Sequence, residues 1–246
     1  MRKTLALVRR ELLAYFSSPL AYVILTAFLF VNGYVFWLIV SYLNDPRTQP
    51  MAAFKLLFGG TIFFWLMLLF VLPVITMRLL AEERRTGTLE VLLTSPVSDG
   101  QVVISKFLAA LVFYLFLWLP TVVYIFLLSK YSRVDIGPVL AGYLGIALLG
   151  VLFLSIGVLT SALTRNQIIA AVFAFAVLLV IFSLGLVQNI VTTPWLKDAL
   201  GYMNLWDHMD DFSKGIVDTR HVVYQLSLAG FFLFLATKAL EASRGR

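Results

Sequence analysis

"EERRTGTLEVLLTSP", Glu82 to Pro96, puts five charged residues into fifteen, in a chain that is only 13% charged. On its N-terminal side, Leu56–Met77 carries no charge, and on its C-terminal side neither does Phe107–Ser129. A helix rises about 1.5 Å per residue, so roughly 20 apolar residues cross the hydrocarbon layer of a bilayer. Both flanking runs are long enough. The charged stretch therefore reads as a connection between two membrane spans, and the rest of the chain is read outward from it.

The composition agrees. Of the 246 residues, 61% are hydrophobic, against about half in soluble domains. There is no cysteine, which removes disulfides, thiolate chemistry and Cys-ligated metal. The net charge of +6 is explained by Lys and Arg at span ends rather than by nucleic-acid binding. The first apolar run is too long for a signal peptide and lacks a small-residue cleavage site.

Six runs read as spans: 20–43, 56–80, 107–129, 137–164, 167–188 and 219–239. The sixth reaches spanning length only if Arg220 and Lys238 snorkel to the two surfaces. Twelve Lys and Arg then fall on one side of the membrane and seven on the other, which makes both termini and the opening segment cytoplasmic. Residues 1–19 read as an interfacial helix, with Leu5, Val8, Leu12 and Phe16 on one stripe and Arg9, Arg10 and Glu11 mostly off it. Pro194 opens a weakly amphipathic outer stretch, where Trp195, Tyr202 and Trp206 suit the headgroup zone. The fold class is an all-α integral membrane protein.

Within the opening segment, the second span is expected to continue as helix past Arg78 through Glu82, Glu83, Arg84 and Arg85. Gly87 permits a sharp turn. Thr88 can cap a short helix with Glu90 in its first turn and Leu89, Leu92 and Leu93 as its apolar stripe. Ser98 and Gln101 form a capping-box pattern from which the third span starts. Pro73 and Pro120 are expected to kink their spans. Ala141/Gly145, Gly157/Ser161 and Ala170/Ala174 sit four apart, a spacing that brings helices close, within one subunit or between two.

Several chemistries find no support. The spans are almost free of ionisable groups, as an ion-coupled carrier would not be. His208 and His221 lie outside the spans or at their rim, and read as surface or capping residues rather than metal ligands. No phosphate-binding Gly-x-x-x-x-Gly-Lys-[Ser/Thr] loop and no nucleophile–base motif is present. If the chain does work, the energy enters from a partner.

The order of these elements resembles the ABC-2 family of ATP-binding-cassette transporter permeases. Within it the chain is similar to the gliding-motility-associated permease subunit. The matching stretches are "RRELLAYFSSPLAYV" (9–23), "MRLLAEERRTGTLEVLLTSPVSDGQVVISKFLAAL" (77–111), "LTSALTRNQIIAA" (159–171) and "SKGIVDTRHVVY" (213–224). The resemblance implies a coupling helix built from Glu82, Glu83, Arg84, Arg85, Gly87, Thr88, Leu89, Glu90, Leu92 and Leu93 that docks on a separate cytoplasmic ATPase. It implies a connecting helix containing Arg9, Arg10, Glu11 and Tyr15. It also implies two ATPase copies carrying ATP and magnesium, a second permease copy or related permease, and a bacterial inner-membrane location. The chain itself would bind no cofactor, metal or nucleic acid and would not be an enzyme. The expected function is ATP-driven export. The alternatives are a mechanical or assembly component of a motility or secretion apparatus that moves no solute, and an ion-coupled secondary transporter.

Overall fold

The computed structural model describes residues 2–44, 53–87, 98–130, 134–188 and 190–244, with the backbone alone at 2, 3 and 244. Among the described residues every regular element is helical. Helix α1 is Arg2–Ser17 and α2 is Pro19–Leu43. Ser18 between them is extended, as the residue before a proline prefers, and Pro19 starts α2 where no N–H is needed. After α2 come α3 (Ile62–Thr76), α4 (Ala81–Thr86), α5 (Asp99–Trp118) and α6 (Val122–Ser129). The chain then runs through α7 (Ile136–Leu163), α8 (Gln167–Val187), α9 (Pro194–Met203), α10 (Leu205–Ser213) and α11 (Thr219–Arg244). Six stretches are long and apolar enough to cross a membrane: Pro19–Leu43, Ile62–Thr86, Asp99–Ser129, Ile136–Leu163, Gln167–Val187 and Thr219–Ser243.

The second span is more broken than the sequence suggests, and the third breaks at Pro120 as expected. The second does not run as helix from 56. Leu56–Gly60 forms a wide turn, Gly59 takes φ 94°, and Thr61 is extended before α3 begins. The same span breaks again after Thr76. In a continuous helix the amides of Leu80 and Ala81 would bond the carbonyls four residues back. Here both donate to the Ser161 hydroxyl on α7, at 3.0 and 3.1 Å. A side chain on another helix thus replaces two ladder bonds, and α4 leaves at a new angle. The third span starts at the capping box, where Ser98 accepts from Gln101 N and Gln101 accepts from Ser98 N. Near Pro120 it passes through a tighter turn, Leu119–Thr121, before α6.

Helix α7 is the spine. It packs against α11, α8, α10, α5 and α3, and most of its side chains are buried. Close approach explains its small residues. A Cβ on Gly150 would collide with the Tyr114 ring of α5, and one on Gly157 with the Thr76 side chain of α3. Gly157 and Ser161 therefore serve packing inside this chain.

The outer connection folds back into the bundle. Leu205, Met209 and Phe212 of α10 are fully buried against α7 and the Leu56–Gly60 turn. Trp206 turns inward instead of lying in the headgroup zone. It packs on Trp65 at 4.9 Å and Phe182 at 5.2 Å, because α10 presents it to the gap between α3 and α8. Trp195 and Tyr202 remain exposed.

Candidate functional site

Helix α4 carries Glu82, Glu83, Arg84 and Arg85, with acids in its first turn and bases in its last, as the helix dipole favours. Gly87 closes it in the left-handed region, φ 72°, a conformation that only glycine reaches without strain. Thr88, Leu89, Glu90, Leu92 and Leu93 lie outside the described residues.

This short helix is tied to most of the bundle. Ser161 of α7 holds its first amides. The Arg84 guanidinium donates to the Ala239 carbonyl of α11 at 3.3 Å. Arg78, just before it, donates to Gln167 at the start of α8 at 3.3 Å. Glu83 reaches the ammonium of Lys106 on α5 at 2.8 Å, and Arg10 of α1 at 3.7 Å. Arg85 pairs with Glu82 on the exposed side at 3.2 Å.

Lys106 is the centre of a charge cluster. Its side chain is 2% exposed and lies between Glu83 and the Glu11 carboxylate of α1, the latter at 3.2 Å. Glu11 is 13% exposed and also accepts from Arg10 at 2.8 Å. A buried cation stands only if it is paired. Here two carboxylates supply the pairing, and a second cation, Arg10, balances them. The cluster joins α1 to the consecutive helices α4 and α5, with Glu11 95 residues from Lys106.

Of the expected apolar stripe of α1, Val8, Leu12 and Phe16 are half-buried and Leu5 is 72% exposed, and Glu11 and Tyr15 turn inward as well. The reason is that α1 lies on α5 rather than only on lipid. Tyr15 stacks on Phe113 at 5.1 Å and donates to the Ile75 carbonyl at 2.8 Å. Phe16 meets Phe113 and Phe116 edge-on. Burial, reinforced by the Glu11 carboxylate, pushes the Tyr15 phenol up and keeps it a neutral donor. Arg9 stays exposed.

At the opposite end of the bundle, His208 is not a surface residue. It is 1% exposed and stacks on His221 at 3.9 Å. Its Nε2 meets the Tyr202 carbonyl at 3.2 Å and its Nδ1 meets the Gln225 amide at 3.3 Å. His221 in turn contacts Asp211 at 2.9 Å. Burial, with His221 beside it, lowers the His208 pKa from 6.5 to about 4, against the opposing pull of the Tyr202 carbonyl, Asp211 and Asp218. The unfolded chain therefore binds a proton between these values that the folded chain refuses. The stability contributed by neutral His208 is complete above about pH 6.5 and is lost as pH falls toward 4. Thermal midpoints measured at pH 7.5, 6 and 5 should fall across that window, and His208→Gln should flatten the fall. An identical pH dependence in the variant would show that this histidine is not its source.

Sequence reading named Glu82, Glu83, Arg84, Arg85, Gly87 and the α1 residues as candidates, but it took Lys106 as a fence at the end of a span. A signal was present. The capping box at Ser98 starts the helix early, so Lys106 sits about 10 Å inside it, below the helix mouth. Ser161 was legible only as a small packing residue.

Six candidate spans, a basic helix packed against their ends and a charged elbow between the second and third define a multi-pass membrane protein. The chain matches the ABC-2 family transporter proteins over residues 48–236 and belongs to that family. It is 30% identical over 146 residues to the probable multidrug ABC transporter permease YbhR of Escherichia coli (strain K12), and equally to that of Escherichia coli O157:H7. The match covers 58% of this chain and 39% of those curated relatives.

Proposed function

We propose that this chain is the membrane subunit of an ATP-driven exporter, moved by a separate cytoplasmic ATPase that docks on residues 82–96. One observation carries the reading. The elbow helix α4 is bonded to α1, α5, α7 and α11 at once, so a force on it reaches the whole bundle. Family membership supports a partner ATPase; the reading adds two ATPase copies holding ATP and magnesium, a second permease copy or a related one, and an inner-membrane location with both termini cytoplasmic. Lys106, Glu11 and Glu83 act in this scheme as the joint that keeps α1 and α4 moving together. The ATPase pair must bind the elbow differently in its two nucleotide states, because only a difference in affinity shifts a conformational equilibrium.

The test is co-purification of the chain with its ATPase, followed by Gly87→Val and Glu90→Arg. Valine resists the left-handed φ of residue 87, and arginine reverses a charge on the docking segment. Transport and permease-stimulated ATP hydrolysis should drop at least tenfold, while the chain still inserts in the membrane. Full activity in both variants would remove the role assigned to the elbow.

A further inference from the structure

The charges at the elbow end of the bundle do not cancel. The carboxylates of α1, α4 and α11 are all taken: Glu11 and Glu83 by Lys106, Glu82 by Arg85, and Glu241 by Lys238. Arginines around the turn between α7 and α8 are left over. Arg78 gives its Nε to Gln167, the first residue of α8, and forms no ion pair among the described residues. Arg84 gives one Nη to the Ala239 carbonyl, while its Nε is buried and bonds nothing among the described residues. Arg165 is exposed, stands just before Asn166 and Gln167, and lies close enough to act on the Arg84 charge. The fold thus gathers Arg78, Arg84 and Arg165 at one turn and brings no carboxylate to them among the described residues. Like charges held together cost stability until an anion comes between them.

The surface beside this turn is apolar. Leu163, Ile168, Ile169, Val172 and Phe173 are each at least 50% exposed. On α8 these positions recur at helical spacing, so they form one stripe that runs from the turn along the span. The turn joins two candidate spans and therefore stands at the membrane surface. Cations at headgroup level meet a bare stripe at acyl-chain level. A guanidinium binds a phosphate oxyanion through paired N–H bonds, and neither Arg78 Nη nor any Arg165 nitrogen has a partner among the described residues.

We propose that the α7–α8 turn binds an anionic phospholipid, with its phosphate between Arg78 and Arg165 and its chains along α8. Basic pockets between spanning helices hold anionic heads in this way. A zwitterionic head would bring a second cation toward the arginines. A free phosphate would leave the stripe unused. Arg78 and Arg165 lie outside the docking segment 82–96, so the site is tested apart from the coupling role of the elbow.

The experiment uses the full chain, without ATPase, in nanodiscs of equimolar phosphatidylglycerol, phosphatidylethanolamine and phosphatidylcholine. Lipid retained after transfer to detergent is read by native mass spectrometry. Wild type should retain phosphatidylglycerol about fivefold over the other two. Arg78→Gln with Arg165→Gln should abolish that excess. Both side chains are exposed, so the double variant keeps the fold, and an unchanged thermal midpoint checks this. Arg9→Gln, an exposed arginine of α1, should keep the excess. Added inorganic phosphate should not displace the lipid. Equal retention of the three lipids by wild type overturns the proposal. So does an equal loss in Arg9→Gln, which would mean attraction to basic charge in general, or displacement by phosphate, which would mean a soluble anion. A double variant that keeps the lipid but no longer co-purifies with the ATPase would assign these arginines to the ATPase and also overturn it.

Discussion

Lys106→Met should destabilise the protein by about 3–5 kcal/mol, the usual result of removing one partner from a buried ion pair. The substitution keeps the apolar stem and deletes the ammonium. Glu11 and Glu83, 13% and 20% exposed, are then left facing each other with only Arg10 to screen them. The thermal midpoint should fall by roughly 10 °C. A protease-accessible α1 should accompany the loss, since the cluster and the Tyr15–Phe113 stack are what hold α1 on α5. The informative control is the triple variant Lys106→Met, Glu11→Gln, Glu83→Gln. Removing all three charges also removes the unpaired ones, so much of the lost stability should return. Lys106→Met with a wild-type midpoint, or a triple variant no better than the single, would show that the cluster is solvated and not structural.

Gly157→Val should have the other large effect. A Cβ at this position meets the Thr76 side chain, and Thr76 cannot withdraw, because its hydroxyl bonds the Leu72 and Pro73 carbonyls of its own helix. Valine adds two more methyl groups in a fully buried contact between α7 and α3. Overpacking of this kind costs about 1–3 kcal/mol where neighbours can shift, and more where they cannot. The contact also stands one turn before Ser161, which fixes the start of α4. Gly157→Val should therefore lower the folded yield and loosen the elbow together. Gly230→Ala on α11 is the matched control, since nothing lies within 4 Å of its Cβ. It should fold as wild type does. A folded, wild-type-like Gly157→Val would mean that α7 and α3 separate more easily than their packing indicates.

The six crossings and the capping box could be read from the residues alone. Uncharged runs long enough to span a bilayer leave the backbone few options, because every N–H and C=O in hydrocarbon must find a partner, and a helix supplies nearly all of them internally. Ser98 and Gln101 stand three apart, and that spacing produces its bonds wherever the helix sits. Charge counting put the elbow, with Glu82, Glu83, Arg84 and Arg85, on the same side as α1. These are local or additive properties, and sequence carries them.

The joint itself needed three dimensions. Lys106 is 95 residues from Glu11, and Ser161 is 80 from the Ala81 amide it holds. No periodicity within one helix records which distant helix will face it, so Glu11 looked like an exposed charge and Lys106 like the edge of a span. His208 and Trp206 were misplaced for the same cause: the outer connection reads as a surface loop until α10 is seen folded against α7. Sequence determined how many times this chain crosses and where its charges emerge, because those follow from hydrophobic length and local capping. Only the tertiary structure decided which charges meet, because a buried pair is defined by two surfaces brought together, and neither carries the other's address.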